Sequence, residues 1–540
     1  MIFKTIFPVS TYSSAYKLSF SLLISIALMP AYGEAGLAKE AIPQAPVSAE
    51  HISDAQVQAA VDAVDKLAQK EIDENGVAGI AIGVVHNDKL VFAKGFGVRE
   101  AGQAAKIDAD TVFQLASVSK SVGATVVAEL VGEGKITWDS KISDLDPIFQ
   151  MYDPWVTSQI TIRDFYAHRS GLPDHAGDVL EDIGADRAQV LYRLRFQKPN
   201  SSFRSHYAYT NFGLTEAGVA ATKAYGLSWE DASEQKLYKP LGMASTSSRF
   251  VDFAARTNKA MGHVLVNGKW VHKLQREPDA QSPAAGVSSS VNDMAKWLRL
   301  EIASGKFEGK QLVDKKALEE TYHPDMLTQF NPFNQLPGFY GLGMNVYYDE
   351  HGRLNLGHSG GFDMGAGTNV AMVPSEQLGI VVLTNSSPVG VAEGLAMTVK
   401  DIALNGKQSH DWLAFYKKVF TDPAVTGLIK GFDYSKAPIS PTPASANSAY
   451  LGTYANDFFG QIEIIEKKGE LAMVLGPQKM TVPIKHYDRD TFTYETGGEN
   501  AVGLSGITFT VPPDGKAIRV LIAHLNDCGE GTFERSSDKM

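Results

Sequence analysis

The first clear hydrophobic pattern of this chain follows residue 53, where apolar residues recur at helical spacing: Val57, Val61, Val64 and Leu67. This spacing predicts an amphipathic helix, preceded by a connector rich in Pro, Ala and Glu. Residues 77–100 contain two β-rich runs joined by a turn at His86-Asn87-Asp88, which predicts a hairpin. The chain is therefore expected to begin its folded part with a helix and two paired strands.

Three further helices are predicted from pattern and capping. The segment Phe113 to Leu130, FQLASVSKSVGATVVAEL, ends in a run that is apolar on nearly all helical faces, which indicates a buried helix. An Ala-rich helix opens at Tyr209-Thr210-Asn211. Another helix is expected to take Ser290 or Asn292 as its N-cap.

Strand signals and glycines dominate residues 340–387, with His358-Ser359-Gly360-Gly361 at their centre. From about Ser435 the composition changes to KAPISPTPASANSA, a Pro/Ser/Ala connector that indicates a domain boundary. Beyond it, Tyr450 to about Arg535 consists of alternating strands and turns. This last region is predicted to be a small all-β domain, most simply a barrel.

The composition is that of an ordinary globular protein, with 540 residues of which 44% are hydrophobic. The net charge of −11 and the absence of a basic block disfavour nucleic acid as a partner. Cys528 is the only cysteine in the sequence, which excludes an intramolecular disulfide framework.

The first 33 residues have the pattern of a signal peptide. Lys4 and Lys17 precede the apolar run LSFSLLISIALM, and Ala31-Tyr32-Gly33 places small residues where a signal peptidase cleaves. We expect cleavage near Gly33, export, most simply to a periplasm, and no stable membrane span afterwards. The apolar run is short for a span, and an uncleaved anchor is the alternative.

The spacing Ser-x-x-Lys occurs four times: Ser14/Lys17, Ser117/Lys120, Ser233/Lys236 and Ser536/Lys539. Residues three apart share a helical face, and an amine kept dry beside a hydroxyl can accept its proton near neutral pH. Only Ser117 opens a helix that is apolar enough to be buried. Among the four, Ser117 is therefore the candidate nucleophile, with Lys120 as its base, although the spacing by itself more often has a structural role.

Other candidate sites have weaker sequence support. His168 and His175 have no further ligand at a familiar metal spacing, so we predict neither a metal nor another cofactor, and a structural, hydrogen-bonded role for His168. Gly95-Phe96-Gly97 lacks the third glycine of a nucleotide loop. Tyr209 and Asn211, two apart, offer a phenol and an amide on one side, although Tyr209 alone is most simply a core aromatic.

Taken in order, these motifs resemble those of the penicillin-recognising serine acyltransferases, which comprise class C β-lactamases, DD-peptidases and their peptidase and esterase relatives. The motifs are Ser117-Val118-Ser119-Lys120, Tyr209-Thr210-Asn211, and His358-Ser359-Gly360 in the place of the usual Lys-Thr-Gly. The connecting segments TIRDFYAHRSGLP, KPLGM and SPAAGVSSSVNDMAKWL are also similar. The resemblance covers about residues 55–405, and the C-terminal region resembles a lipocalin-like accessory domain.

The resemblance implies an α/β (α+β) fold, with an antiparallel sheet flanked by helices, a helical lobe and an active site between them. The expected organisation is a signal peptide (1–33), a linker (34–54), the hydrolase domain (55–405), a helix with a Pro/Ser/Ala linker (406–447) and a β-barrel domain (448–540). The oligomeric state stays open.

The resemblance also implies roles for the motif residues. Ser117 would form an acyl-enzyme, with Lys120 and Tyr209 moving protons, and which of the two is the principal base is left open. Asn211 would bind the substrate amide, and the glycines Gly360 and Gly361 would let the substrate lie close to an edge strand. The backbone N–H groups of Ser117 and Gly361 would then form the oxyanion hole.

His358 decides the expected substrate, because the usual lysine supplies a permanent cation for a substrate carboxylate, whereas histidine is largely neutral at pH 7. We therefore expect a peptidase or amidase acting on short or linear peptides, some with D-residues, rather than on β-lactams. If His358 titrates in the working range, the pH–rate profile should show a limb near its pKa. The alternatives are a carboxylesterase, a β-lactamase or DD-peptidase, and a catalytically idle peptide- or peptidoglycan-binding protein.

Overall fold

The structure is a computed structural model that describes residues 51–422, 432–513 and 515–536. The predicted signal peptide and the connector up to residue 50 lie outside the described residues. Within these ranges, no helix is long and apolar enough to cross a membrane.

Side-chain caps mark the start of two of the longer helices. Ser53 caps the first helix in a capping box with Gln56, and the Ser290 side chain accepts the backbone N–H of Asp293, so Ser290 rather than Asn292 is the N-cap there. The longer helices are α1 (Asp54–Asp73), α2 (Ser119–Gly132), α3 (Asn211–Lys223), α4 (Val291–Ile302), α5 (Val391–Asn405) and α6 (Trp412–Thr421).

Shorter helices fill the segments between α2 and α4 and the turn after α4. They are Ile142–Leu145, Pro154–Gln159, Ile162–Tyr166, Asp178–Asp182, Arg187–Arg193, Trp229–Ser233, Lys239–Leu241, Phe250–Ala255, Ser282–Ala285 and Lys315–Glu319. Together with α2 and α3 the first nine of these form a helical lobe, whose core is continuous with one face of the main sheet.

The main sheet is antiparallel throughout, as the resemblance implied. Its strands are β1 (Gly79–His86), β2 (Lys89–Gly97), β3 (Met326–Phe330), β4 (Pro337–Tyr340), β5 (Asn345–Tyr348), β6 (Leu354–Phe362), β7 (Ala366–Val373) and β8 (Leu378–Thr384). They lie in the order β2-β1-β8-β7-β6-β5-β4-β3. The predicted hairpin is β1–β2, with Asn87 and Asp88 both at positive φ in its turn.

Both faces of the sheet are covered by helices. Ile80 and Ile82 of β1 point to the face packed by α1 and α5, while Ala81 points to the opposite face, which α4 covers. Strand alternation in β1 therefore divides the core into two layers, and all eight residues of the strand are buried.

The position of His358 in the sheet differs from the expected edge strand. Strand β6 has β7 on one side and β5 on the other, so it is internal to the sheet. However, β5 pairs only with residues 354–357 of β6. Residues 358–362 pair with β7 alone among the described strands, and this half of β6 is therefore a local edge that faces the helical lobe.

The C-terminal region forms a second antiparallel sheet, and its strands are β9 (Gly452–Asn456), β10 (Gly460–Lys467), β11 (Glu470–Leu475), β12 (Met480–Pro483), β13 (Lys485–Asp488), β14 (Thr491–Glu495), β15 (Leu504–Thr510), β16 (Arg519–Ile522) and β17 (Thr532–Arg535). Their order is β12-β11-β10-β9-β17-β16-β15-β14-β13. The two outermost strands, β12 and β13, are separated by one residue in the chain. The sheet is therefore curled into a nearly closed barrel, as predicted.

Candidate active site

Ser117 lies on a tight turn at the start of α2. The turn Ala116–Val118 is a 3-10 helix, and Ala116 enters it at a φ of 47°, a conformation that is costly for a residue other than glycine. Two backbone contacts fix the turn: the Leu115 N–H donates to the Val287 carbonyl at 2.8 Å, and Thr368 Oγ1 donates to the Leu115 carbonyl at 2.7 Å. The sheet and the helical lobe thus hold this turn from both sides.

Lys120 is fully buried beside the serine. Its Nζ lies 3.0 Å from Ser117 Oγ and donates to the Ala284 carbonyl at 3.0 Å. Burial lowers the pKa of Lys120 from 10.5 to about 7, although the nearby Asp178 carboxylate raises it in part. A substantial fraction of the amine is therefore neutral at pH 7 and able to accept the Ser117 proton.

Tyr209 covers this pair. Its ring centroid lies 4.5 Å from Lys120 Nζ, and its phenol lies beside the Ser117 side chain. Burial raises the pKa of Tyr209, although the neighbouring Ser117 hydroxyl acts in the opposite direction. The phenol therefore stays protonated at neutral pH, so it is placed to donate a proton rather than to accept one first.

Asn211 follows Tyr209 at the first position of α3. Thr210 between them is extended, with φ −128° and ψ 114°, so the side chains of Tyr209 and Asn211 project to the same side. The Asn211 amide donates from Nδ2 to Asp178 Oδ2 at 2.8 Å. The motif residues predicted from the sequence therefore come together around Ser117.

His358 lies opposite, on the local edge of β6, and is only 5% exposed. Its Nδ1 lies 2.6 Å from the Ser359 carbonyl and its Nε2 lies 2.8 Å from the Tyr340 hydroxyl. A carbonyl can only accept, so Nδ1 carries the proton and Nε2 accepts from Tyr340. Burial lowers the pKa of His358 to about 3, and the neighbouring Lys120 lowers it further. The imidazole is therefore expected to be neutral in the working range and to add no limb near pH 6.

The two glycines of β6 have different neighbours. A Cβ added to Gly360 would come within 2.3 Å of the Leu115 carbonyl and 3.0 Å of the Ser117 backbone nitrogen. This close approach brings β6 against the nucleophile turn, which is the arrangement that an oxyanion hole of backbone N–H groups requires. Gly361 is exposed, and an added Cβ there would meet Pro388 at 2.7 Å.

His168 is a buried structural residue, as expected. Its Nδ1 accepts the Thr210 N–H at 3.1 Å, and its ring lies 4.5 Å from that of Tyr209. Across the described ranges no group of three or more His, Cys, Asp or Glu side chains is arranged to hold a metal ion.

Several site residues escaped the sequence reasoning. Tyr340 belongs to none of the motifs, and the Ala284 carbonyl lies in the SPAAG segment, whose sequence does not indicate that a backbone carbonyl contacts Lys120. The sequence offers His175 only as a possible metal ligand, yet its Nδ1 lies 2.7 Å from Asp178 Oδ2. The i, i+3 spacing of His175 and Asp178 beside Leu-Pro was the one available signal for this pair.

The barrel contacts the strand that carries His358. Glu499, in the loop between β14 and β15, accepts the backbone N–H groups of Asp363 and Met364 at the β6–β7 turn. Asp182 of the helical lobe in turn accepts the N–H groups of Glu499 and Asn500, at 2.9 Å and 3.0 Å. The C-terminal domain therefore joins the sheet and the helical lobe at one end of the cleft between them.

Comparisons with known proteins identify the family and the fold. The profile of the Beta-lactamase family matches residues 64–404, and a profile described as "Domain of unknown function (DUF3471)" matches residues 436–533. The structure of the octameric penicillin-binding protein homologue from Pyrococcus abyssi is similar in fold, with a TM-score of 0.57 and 21% identity over 86% of this chain and 98% of that one.

Curated relatives match a large part of the chain. Unguisins hydrolase ungD of Aspergillus violaceofuscus is 25% identical over 72% of this chain and 74% of its own length. Protein flp of Staphylococcus aureus is 22% identical over 60% of this chain and 62% of its own length. With the family profile matching more than half of the chain and Ser117 beside a buried lysine, the chain belongs to the Beta-lactamase family of serine hydrolases.

Proposed function

We propose that this protein is a peptidase or amidase that cleaves short or linear peptides through an acyl-enzyme on Ser117. One observation carries the catalytic part of the proposal: a fully buried lysine amine lies 3.0 Å from a half-buried serine hydroxyl. A lysine with a pKa lowered to about 7 is suited to act as a general base at neutral pH.

The proposed reaction begins with attack of Ser117 Oγ on the substrate carbonyl carbon while its proton passes to Lys120 Nζ. The oxyanion would be stabilised by the backbone N–H groups of Ser117 and Gly361. As the C–N bond breaks, the Tyr209 phenol gives its proton to the leaving amine and recovers one from the Lys120 ammonium. Water then cleaves the ester on Ser117, which releases the acid and restores the hydroxyl.

The preference for peptides over β-lactams is supported by the charge at the third motif. His358 is buried and neutral, with both ring nitrogens engaged by Ser359 and Tyr340. It therefore offers no permanent cation to the carboxylate that β-lactams and D-Ala-D-Ala termini carry. A peptide or amide needs no such cation at this position. The relative ungD is named as a hydrolase, which is consistent with hydrolysis but does not define the substrate of this chain.

The test is a substrate panel with the purified protein: linear peptides, D- and L-aminoacyl amides, p-nitrophenyl esters, D-Ala-D-Ala peptides and nitrocefin, with Ser117→Ala alongside. We expect amides and linear peptides to be cleaved and nitrocefin to be spared. Turnover of esters alone would favour a carboxylesterase. Failure of a fluorophosphonate probe to label Ser117 would contradict an acyl-enzyme and favour an idle binding protein.

We further propose that the protein acts after export, most simply in a periplasm, because its first 33 residues have the pattern of a signal peptide. The test is N-terminal sequencing of the secreted protein. A mature N-terminus near residue 34 is expected, and an intact Met1 on a membrane-bound protein would favour the uncleaved anchor.

A further inference from the structure

The short helix Asp178–Asp182 places a carboxylate behind the site that the reaction as written does not use. Asp178 is 3% exposed, and its Oδ2 accepts from Asn211 Nδ2 at 2.8 Å and from His175 Nδ1 at 2.7 Å. Its other oxygen, Oδ1, is buried and has no hydrogen-bond partner among the described residues. A carboxylate costs free energy to bury unless its oxygens accept hydrogen bonds, and here only one of the two oxygens does so.

The hydrogen bond between Asp178 and Asn211 fixes the orientation of the Asn211 side-chain amide. A carboxylate only accepts hydrogen bonds, so the Asn211 group facing Asp178 must be the NH2 and not the carbonyl. The carbonyl oxygen Oδ1 is then directed away from Asp178, and it is buried without a partner in the described part of the chain. Asn211 projects to the same side as Tyr209, which covers Ser117 and Lys120.

We propose, on the basis of the function proposed above, that Asp178 is a positioning residue that holds Asn211 with its carbonyl oxygen as the acceptor for a substrate N–H group. An unanchored amide could rotate and present its NH2 instead, which would reject that N–H. Asp178 therefore selects substrates whose acyl part carries an amide N–H beside the reacting carbonyl, as a peptide does.

Charge supports the same assignment. Asp178 raises the pKa of Lys120 and of Tyr209, so its carboxylate acts on both proton carriers. The other titratable groups around Lys120 are His168 and His358, both with lowered pKa values and hence neutral. Asp178 is therefore the anion that opposes the effect of burial on the lysine.

Around Asp178 itself lie His175 and, on the same short helix, Glu181. Burial raises the pKa of Glu181 to about 7, and the negative charge of Asp178 adds to this shift. His175 is about a quarter exposed and donates to the carboxylate. The same helix also carries Asp182, whose pKa is raised by burial, and the preceding loop carries Asp174.

The experiment compares two p-nitrophenyl esters that differ at one group. N-acetylalanine p-nitrophenyl ester has the N–H, and p-nitrophenyl 2-methyl-4-oxopentanoate has a CH2 in its place. Active sites are titrated with a fluorophosphonate probe. In Asp178→Asn we expect kcat/KM to fall roughly tenfold for the first ester and less than about twofold for the second. The acid limb of the pH profile of kcat/KM should also move to lower pH by about half a unit, because the Lys120 amine loses an anion that favours its protonated form.

Asp174→Asn is the matched control, since it removes a carboxylate from the same loop that accepts the Tyr209 backbone N–H at 2.9 Å. It should slow both esters by a similar factor and leave the acid limb in place. An Asp178→Asn protein that keeps the preference for the N–H ester overturns the proposal, wherever its acid limb lies.

A second variant covers the case in which Asp178→Asn does not fold. His175→Phe keeps a ring against Tyr209 and removes only the donor to Asp178, so a smaller loss of the same preference is expected. An unchanged preference in that variant overturns the proposal. Absence of Ser117 labelling in the wild-type protein would instead reject the proposed function itself, so the two failures are distinguishable.

Discussion

Two Ser-x-x-Lys sequences lie on helical backbone of the catalytic domain, and their side chains do different things. In the first, Lys120 Nζ lies 3.0 Å from Ser117 Oγ. In the second, Ser233 Oγ donates to the Trp229 carbonyl at 2.8 Å, and Lys236 forms an ion pair with Glu133. The same four-residue spacing thus gives a buried serine–lysine contact in one place and two independent structural contacts in the other.

Backbone geometry explains part of the difference. Ser117 lies in a 3-10 turn that leads directly into α2, where Lys120 lies, and residues three apart along such backbone share one face. Lys236 lies in a π-helical turn, Glu234–Tyr238, whose wider winding moves it off the face of Ser233. Burial explains the rest, because Lys120 is fully buried whereas the Lys236 side chain is 24% exposed. The Ser-x-x-Lys spacing alone therefore does not bring the amine to the hydroxyl. The winding of the helix and the burial of the lysine decide whether the two groups meet in a dry environment.

Substitution of the two serines should give the largest difference in kcat/KM between the Ser117/Lys120 pair and the Ser233/Lys236 pair. Ser117→Ala should lower kcat/KM by about 10⁴-fold or more, because it removes the atom that forms the acyl-enzyme. Ser233→Ala should leave kcat/KM within about twofold of wild type. Intact-mass measurement after fluorophosphonate treatment checks both variants, and an adduct on Ser117→Ala would contradict the assignment.

The lysines should differ in both activity and stability. Lys120→Met is expected to lower kcat/KM by about 10²–10⁴-fold, since it removes the general base, and to raise the free energy of unfolding at pH 7 by about 2 kcal/mol, since a buried amine is replaced by a thioether. Lys236→Met should change neither appreciably. Urea unfolding at pH 7 measures the stability, and a destabilised Lys120→Met protein would contradict the desolvation argument.

The pH dependence of stability follows from the same lysine. Between about 7 and 10.5 the unfolded chain keeps the Lys120 proton while the folded protein has lost it. The wild-type free energy of unfolding should therefore gain a component that rises with pH across this interval and is constant below it. Lys120→Met should lack this component, and urea unfolding of both proteins at pH 7 and pH 9 compares the slopes.

A smaller effect is expected where β6 meets the nucleophile turn, a contact that the Ser233 pair lacks. Gly360→Ala places a Cβ against the Leu115 backbone, so kcat/KM should fall about 10–100-fold as the turn shifts. In Gly361→Ala the new Cβ meets the Pro388 side chain first, and the backbone only at 4.0 Å, so this variant should cost less. Equal losses in the two variants would contradict the role given to close packing at Gly360.

The smallest effect concerns His358. Its removal in His358→Ala should lower kcat/KM about 2–10-fold through lost hydrogen bonds, without removing a limb from the pH–rate profile. The reason is that burial holds the pKa of His358 near 3, below the working range. A limb near pH 6 that vanishes in His358→Ala would show that the imidazole titrates after all.

Much of this architecture could be predicted from local pattern. The α1 capping box at Ser53, the β1–β2 turn at Asn87 and Asp88, and the alternation that forms the C-terminal barrel are all set by residues close together in the chain. The pairing of β6 was harder to predict, because the distinction between its internal and edge halves depends on where β5 stops.

The sequence by itself determined the order of the motifs, the histidine in place of a lysine at position 358 and the identity of every chemical group in the cleft. Tertiary structure decided which Ser-x-x-Lys forms a buried contact, that burial lowers the pKa of His358, and that Asp178 reaches Asn211 across 33 residues. The physical reason is that a proton affinity depends on the water excluded and the charges brought near by distant segments. No local spacing contains that information.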